Sequence, residues 1–158
     1  MIAKEELNFA VYSCQLGYLK IYYDEHLVVA LTLEEHCSNQ GRKTPLTDQV
    51  YQQIEEYLAG KRKTFTFAYE LRGTDFAKQV WQELQKIPYG QVRSYKQIAQ
   101  SLGKPNACRA VGNANTQNPL PLVFPCHRVI NANGKIGGYA FGVEKKAYLL
   151  ELEKLHTK

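Results

Sequence analysis

No run of this 158-residue chain is apolar enough to span a bilayer, so no membrane helix and no membrane partner are expected. The first residues, MIAKEELNFA, carry acidic side chains and no long apolar core, which argues against a secretory leader; a cytoplasmic location is the expectation. Cysteine is scarce. The four (Cys14, Cys37, Cys108 and Cys126) form no tight pair and no framework spacing, so free thiols are expected rather than disulfides. Metal-ligand spacing is lacking too: Cys14, His26, His36 and Cys37 are the N-terminal candidates, and they match no common zinc pattern. Neither a metal nor a cofactor is expected. Proline is also rare, with six in all, yet three of them crowd into one short stretch.

Charge is unevenly spread. Residues 1–72 hold 8 Lys+Arg against 10 Asp+Glu, a net −2, whereas residues 73–158 hold 12 against 5, a net +7. A basic second half is the electrostatic footprint of a polyanion binder, although many basic proteins bind no nucleic acid. The length suits one domain or two small ones.

The first half reads as strands at Asn8–Ser13, Tyr18–Tyr23 and Leu27–Thr32, with Asp24-Glu25-His26 as a hairpin turn. Thr47 is the expected cap of a helix over Asp48–Ala59, with Val50, Ile54 and Leu58 on one face and Gly60 ending it. Strict alternation of Phe65, Phe67 and Tyr69 predicts a half-buried strand over Thr64–Glu70. Residues 1–72 therefore read as a small α+β scaffold domain with no recognisable site.

From Thr74 the pattern turns helical. Thr74 caps a segment with Phe76, Val80, Trp81, Leu84 and Ile87 at helical spacing, stopped by Pro88 and Gly90. Ser94 to Gln97 has the form of a capping box opening a short helix through Leu102. After the turn Gly103-Lys104-Pro105, Asn106 to about Asn115 predicts a second helix, so the two make a helix-turn-helix. Glycine-rich sequence at Asn133-Gly134 and Gly137-Gly138-Tyr139 follows, and Val143–Leu155 closes the chain as a helix carrying Leu149, Leu150 and Glu153 on adjoining positions.

Between these lies NPLPLVFPCHRVI, Asn118 to Ile130. Proline fixes its own φ and biases its predecessor to extended geometry, so the stretch predicts a stiff, non-helical arm that delivers the Cys126 thiol to a defined place. His127 and Arg128, directly beside the sulfur, are expected to favour thiolate, the nucleophilic form. Taken alone, a Cys-His neighbour pair is more often a buried structural thiol and a core imidazole. Likewise Glu153 alone reads as a solvated helix carboxylate, Arg109 as a surface cation and Tyr95 as packing.

The run PCHRVI, preceded by NPLP and followed by NGKIGGYAFGVEKKAYLLELE, closely resembles the O6-alkylguanine-DNA alkyltransferases, as does the upstream IPYGQVRSYKQIAQSLGKPNACRAVGNANTQNP. The resemblance covers roughly Thr74 to Glu153. It implies a ribonuclease-H-like N-terminal α/β domain over 1–72 and a winged-helix/helix-turn-helix alkyltransferase domain over 73–158. It implies transfer of the alkyl group of O6-alkylguanine (with O4-alkylthymine a further candidate) in double-stranded DNA, from the minor groove, by a monomer. Cys126 would accept the alkyl group, and His127, through a water, and Glu153 would generate its thiolate. Tyr95 would donate a proton or hydrogen bond to the guanine ring. Arg109 would fill the space of the flipped nucleotide, with Ala110 packing beside it in the minor groove. Asn118 would be the hinge between the helix-turn-helix and the arm. Ser94 and Arg128 are counted with the DNA-facing residues. Val129 and Ala140 would offer backbone groups to the base, Tyr139 would wall the pocket, and Asn118 would line it. Family members often carry Ser where this chain has Ala140.

Three other readings compete. A binding-only alkyltransferase-like protein would replace the reactive cysteine, which is present here. A cysteine hydrolase leaves the helix-turn-helix and the basic half without a purpose, and no hydrolase signature surrounds Cys126. A plain helix-turn-helix regulator needs no PCHR arm.

Overall fold

Runs of aromatic and aliphatic residues build an antiparallel meander at the start of the chain: β1 (Asn8–Cys14), β2 (Gly17–Asp24) and β3 (Leu27–Glu34), in the order β1-β2-β3. The structure is a computed structural model that describes residues 7–157, and it divides into two units, Met1–Arg72 and Gly73–Lys158. The architecture is mixed α/β, a small sheet unit followed by a mainly helical one, as the sequence predicts.

In the first unit, Glu25 and His26 make the hairpin turn, and Glu25 takes a left-handed φ of 51° to close it. Helix α1 (Pro45–Leu58) packs against all three strands through a face that includes Val50, Ile54, Tyr57 and Leu58, all buried. Its cap differs from the expectation. Thr44, not Thr47, is the N-cap: Thr47 N–H donates to Thr44 Oγ1 at 3.2 Å while Thr44 N–H donates to Thr47 Oγ1 at 2.8 Å. The physical reason is Pro45, whose missing N–H and fixed φ suit the first helical position and draw the start upstream. The strand expected over Thr64–Glu70 is also absent as a strand. The alternation is real, with Phe67 buried and Phe65 and Tyr69 half-buried, but among the described residues the segment meets β3 through one isolated parallel bridge, Val28 to Tyr69. Periodicity reports burial on one side; it does not guarantee a neighbour along the hydrogen-bonding edge.

The second unit opens with α2 (Asp75–Leu84), capped by Thr74 as expected. A two-residue strand β4 (Arg93–Ser94) leads into α3 (Tyr95–Ser101), where Ser94 and Gln97 form the expected capping box. Leu102 and Gly103 turn the chain, Gly103 at a left-handed φ of 73°, and α4 (Cys108–Thr116) follows. It starts two residues later than predicted because Pro105 forces a turn and no side chain caps it. Helices α3 and α4 pack together, α2 lies against both, and Trp81 Nε1–H donates to the Ala114 carbonyl at 2.8 Å.

The proline arm then returns the chain to the start of the motif. Strand β5 (Val129–Ile130) pairs in parallel with β4, Arg93 opposite Val129 and Ser94 opposite Ile130. The arm is not extended throughout: Cys126–Arg128 is a single 3-10 turn, closed by Arg128 N–H donating to the Pro125 carbonyl at 3.0 Å. Helix α5 (Val143–Leu155) ends the unit and packs on that turn.

Candidate active site

Cys126 sits at the beginning of the 3-10 turn and is 3% exposed. Asn118 holds the arm in shape: its Nδ2–H donates to the Phe124 carbonyl at 2.6 Å, and its Oδ1 accepts from Leu120 N–H at 3.0 Å. One side chain thus ties Leu120 to Phe124 in the segment between α4 and the sulfur.

The next two residues are fully engaged with α5. His127 Nε2 lies 2.7 Å from Glu153 Oε2, and Arg128 grips the same carboxylate with Nε on Oε1 at 2.8 Å and Nη2 on Oε2 at 2.9 Å. Gly90 N–H adds a further donor to Oε1 at 3.1 Å. The third guanidinium nitrogen, Nη1, donates to the Ile87 carbonyl at 2.8 Å. Burial alone would raise the Glu153 pKa, but the hydrogen bonds and charges of His127 and Arg128 outweigh it, so the carboxyl stays ionised well below the usual range. Burial lowers the His127 pKa, against the pull of Glu153, and the imidazole is neutral at neutral pH. A neutral imidazole anchored at Nε2 can act as a base through its other nitrogen, and the carboxylate behind it stabilises the cation so formed.

The charges of His127 and Arg128 are not what acts on the sulfur. Burial pushes the Cys126 thiol up to about 11; it is pulled back first by the Asn118 side chain, then by the ammonium of Lys146 and by backbone hydrogen bonds at Cys126 and His127, not by the charge of Arg128. Arg128 is spent on Glu153. The resting protein therefore carries a thiol, and the thiolate must form during reaction.

Two family descriptions match the chain: 6-O-methylguanine DNA methyltransferase, ribonuclease-like domain, over residues 7–71, and 6-O-methylguanine DNA methyltransferase, DNA binding domain, over residues 75–155. The chain belongs to the 6-O-methylguanine DNA methyltransferase family. A relative from Bacillus subtilis (strain 168), the constitutive methylated-DNA--protein-cysteine methyltransferase, is 47% identical over 153 residues, spanning 90% of this chain and 93% of its own. Among solved structures, Mycobacterium tuberculosis OGT in complex with DNA superposes with a TM-score of 0.86 at 38% identity, covering 94% of this chain and 93% of that one. An O6-methylguanine DNA methyltransferase from Methanococcus jannaschii is more distant, with a TM-score of 0.71 at 26% identity over 92% of this chain and 93% of that one.

The remaining predicted site residues of this methyltransferase-family chain are spread over several elements. Arg109 and Ala110 are exposed on the first turn of α4, where side chains can leave the protein surface. Tyr95 begins α3 and is half-buried; burial raises its pKa, an Asn115 hydrogen bond opposes this, and the Cys126 charge adds to it, so phenol and thiol share one environment. Tyr139 has a buried hydroxyl, with no hydrogen-bond partner among the described residues, and its pKa is also raised by burial and by Cys126. Ala140 is exposed beside it. Ser94 is committed to capping α3. Arg128, expected to face DNA, is instead 7% exposed and tied down by Glu153 and Ile87, and its guanidinium serves the interior of the site rather than the surface.

Two residues of the site escaped sequence reasoning. Lys146 is fully buried, its ammonium donating to the carbonyls of Val129 at 2.6 Å and Gly138 at 2.9 Å; burial lowers its pKa to about 8. It thereby pins the strand after the nucleophile to the glycine-rich loop. Its signal was its spacing, seven residues before Glu153 and so on the same face of α5. Leu149 and Leu152 are buried with it, while Leu150 is only half-buried. Asn115, on α4, reaches the Cys126 carbonyl with Nδ2 at 3.4 Å.

Proposed function

We propose that this chain repairs DNA by direct reversal, moving the alkyl group of O6-alkylguanine irreversibly onto its own Cys126. The observation that carries the reading is a buried thiol one residue from an imidazole that is itself anchored on an ionised, arginine-held carboxylate, inside the unit matched by the family's DNA-binding domain.

The chemistry follows from this arrangement. The thiol proton passes, through a water, to His127, and Glu153 stabilises the imidazolium. A bond forms between Cys126 Sγ and the alkyl carbon as the bond from that carbon to O6 breaks, and the electron pair moves into the guanine ring. Tyr95 donates a hydrogen bond or proton to the ring, so the base leaves neutral; the proton held by His127 returns through solvent and keeps the balance. A thioether is left, which water does not readily hydrolyse, so each molecule acts once. The alkyl group is inaccessible inside a duplex, so the nucleotide must be flipped out, and Arg109 would fill the gap with Ala110 packed in the minor groove. Val129 and Ala140 would meet the base with backbone groups and Tyr139 with its ring. No cofactor is required by this route. We place the protein inside the cell with double-stranded DNA as partner, acting as a monomer; no helix of the described residues is long and apolar enough to cross a membrane.

The test is the intact mass of the protein after incubation with a duplex carrying one O6-methylguanine. One methyl group, mapped to Cys126 and saturating at one per chain, is expected. DNA binding without an adduct would overturn the reading and leave a damage-recognition protein.

A further inference from the structure

We infer that Gly90 is a positioning residue of the proton transfer, its left-handed backbone aiming a main-chain N–H at the Glu153 carboxylate that backs His127. The inference rests on the function proposed above.

The loop between α2 and β4 meets the acid and its arginine with groups of matching sign. The Ile87 carbonyl accepts from Arg128 Nη1 at 2.8 Å, and the guanidinium carbon lies 5.6 Å from the centre of the Tyr89 ring. Gly90 N–H donates to Glu153 Oε1 at 3.1 Å. Pro88 to Gln91 is a β-turn, closed by Gln91 N–H donating to the Pro88 carbonyl at 3.0 Å. Gly90 holds its third position with a φ of 82°, and Tyr89 is not among the residues of positive φ, which makes the turn type II.

The turn type decides which group faces the acid. Types I and II differ by a flip of the central peptide, here the one joining Tyr89 to Gly90. In type II the Gly90 N–H points at Glu153. In type I that N–H turns away, and the Tyr89 carbonyl swings toward the side it left. An L side chain at position 90 disfavours the left-handed φ and so favours the second arrangement. A carbonyl oxygen would then repel the carboxylate that the N–H had held. Crowding is a separate matter: a Cβ at Gly90 would run into the side chain of Thr157, whose hydroxyl donates to the Glu153 main-chain carbonyl.

The direction of this one N–H bears on the base. A donor on Oε1 draws charge from the carboxylate and moderates its pull on His127, so the imidazole stays neutral and able to take the thiol proton. The titratable and charged groups facing the pair are Arg128 from the 3-10 turn, Tyr89 from this loop, Tyr139 from the glycine-rich loop and Lys146 from α5. Substituting residue 90 removes none of them.

The experiment is single-turnover methyl transfer from O6-methylguanine duplex against pH and DNA concentration. It compares Thr157→Ala alone, where the crowding is relieved, with Thr157→Ala carrying Gly90→Ala or Gly90→Asn. All rates are taken below the lowest melting transition of the set. Losing one hydrogen bond to a charged group corresponds to a limiting rate about tenfold lower for Gly90→Ala. Its acid limb should move to higher pH, with the half-saturating DNA concentration unchanged. Gly90→Asn is bulkier than Gly90→Ala, yet asparagine accepts the third position of a type II turn, so it should recover most of the rate and the original limb. Crowding alone predicts the reverse order. Gly90→Asn no faster than Gly90→Ala, an unmoved acid limb in Gly90→Ala, or a loss confined to the half-saturating concentration would overturn the inference. Should Gly90→Ala fail to fold, Gly90→Ser takes its place with the same outcomes. No transfer by the unsubstituted protein would overturn the proposed function and this inference with it, whereas transfer indifferent to residue 90 overturns the inference alone.

Discussion

Glu153 Oε2 stands 2.7 Å from His127 Nε2, and the same carboxylate carries a two-pronged contact from Arg128. Adjacent residues in the sequence thus converge on one acid from α5, and the arginine that sequence proximity assigned to the sulfur stabilises the group behind the base instead. This relationship governs both the stability of the site and its proton transfer.

Its removal should be costly. Replacing Glu153 by Ala leaves a buried guanidinium without its partner, and a loss of ~3–5 kcal/mol is expected. Glu153→Gln keeps the shape but not the charge, so it should unfold less readily than Glu153→Ala while transferring methyl groups more slowly than the unsubstituted protein. Urea unfolding beside transfer rates checks this; equal stability of all three proteins would contradict the network described.

Acid should weaken the fold in two stages. His127 is held below its ordinary pKa and Glu153 well below its own, so each contributes stability that is complete above the unfolded value and is lost as pH falls toward the folded one. The histidine contribution should begin to fade below about pH 6.5 and the glutamate contribution below about pH 4.3, their unfolded values. Melting temperature against pH for the unsubstituted protein and for Glu153→Gln measures this, and the lower stage should flatten in the variant.

The thiol predicts the opposite limb. Cys126 is raised to about 11, so the stability it contributes is full below the unfolded value of about 8.5 and lost as pH climbs through the folded one. At neutral pH, iodoacetamide should modify Cys14, Cys37 and Cys108, all partly exposed, before the buried Cys126. Peptide mapping after timed labelling tests it. Fastest labelling at Cys126 would mean that the free protein already holds a thiolate.

Nucleophile and DNA contact should separate by substitution. Cys126→Ser is expected to abolish adduct formation and to leave duplex binding intact, measured by mass and by titration with labelled DNA. Arg109→Ala, altering an exposed side chain on α4, should slow repair of duplex more than reaction with free O6-benzylguanine. Equal slowing on both substrates would remove Arg109 from the flipping step.

Lys146 offers a test of the pocket's frame. Lys146→Met removes two donors from the Val129 and Gly138 carbonyls, and a destabilisation of ~1–3 kcal/mol is expected from the unpaired acceptors. Amide exchange should quicken around Gly137 to Phe141. Unchanged exchange there would show that the loop is held by other contacts.

Much of this protein is legible in its residues in order. The caps at Thr74 and Ser94, the hairpin at Glu25-His26, the last helix over Val143–Leu155 and the position of the nucleophile in the proline arm are local matters, set by φ restrictions, capping side chains and periodicity within a few residues. Where local signals competed, the reading slipped: Pro45 moved the start of α1 to Thr44, and the alternation at Phe65, Phe67 and Tyr69 marked burial without a paired strand. The chemistry of the site was decided by tertiary structure. Whether a cation lowers a neighbouring thiol's pKa depends on where its charge is spent, and Arg128 spends its charge on an acid 25 residues away. Lys146 enters only because α5 packs on the 3-10 turn, which brings its ammonium to the main chain beside the nucleophile, and Asn115 because the arm folds back on α4 so that the Cys126 carbonyl meets its amide. Burial sets the electrostatics, and burial is a property of the packed chain.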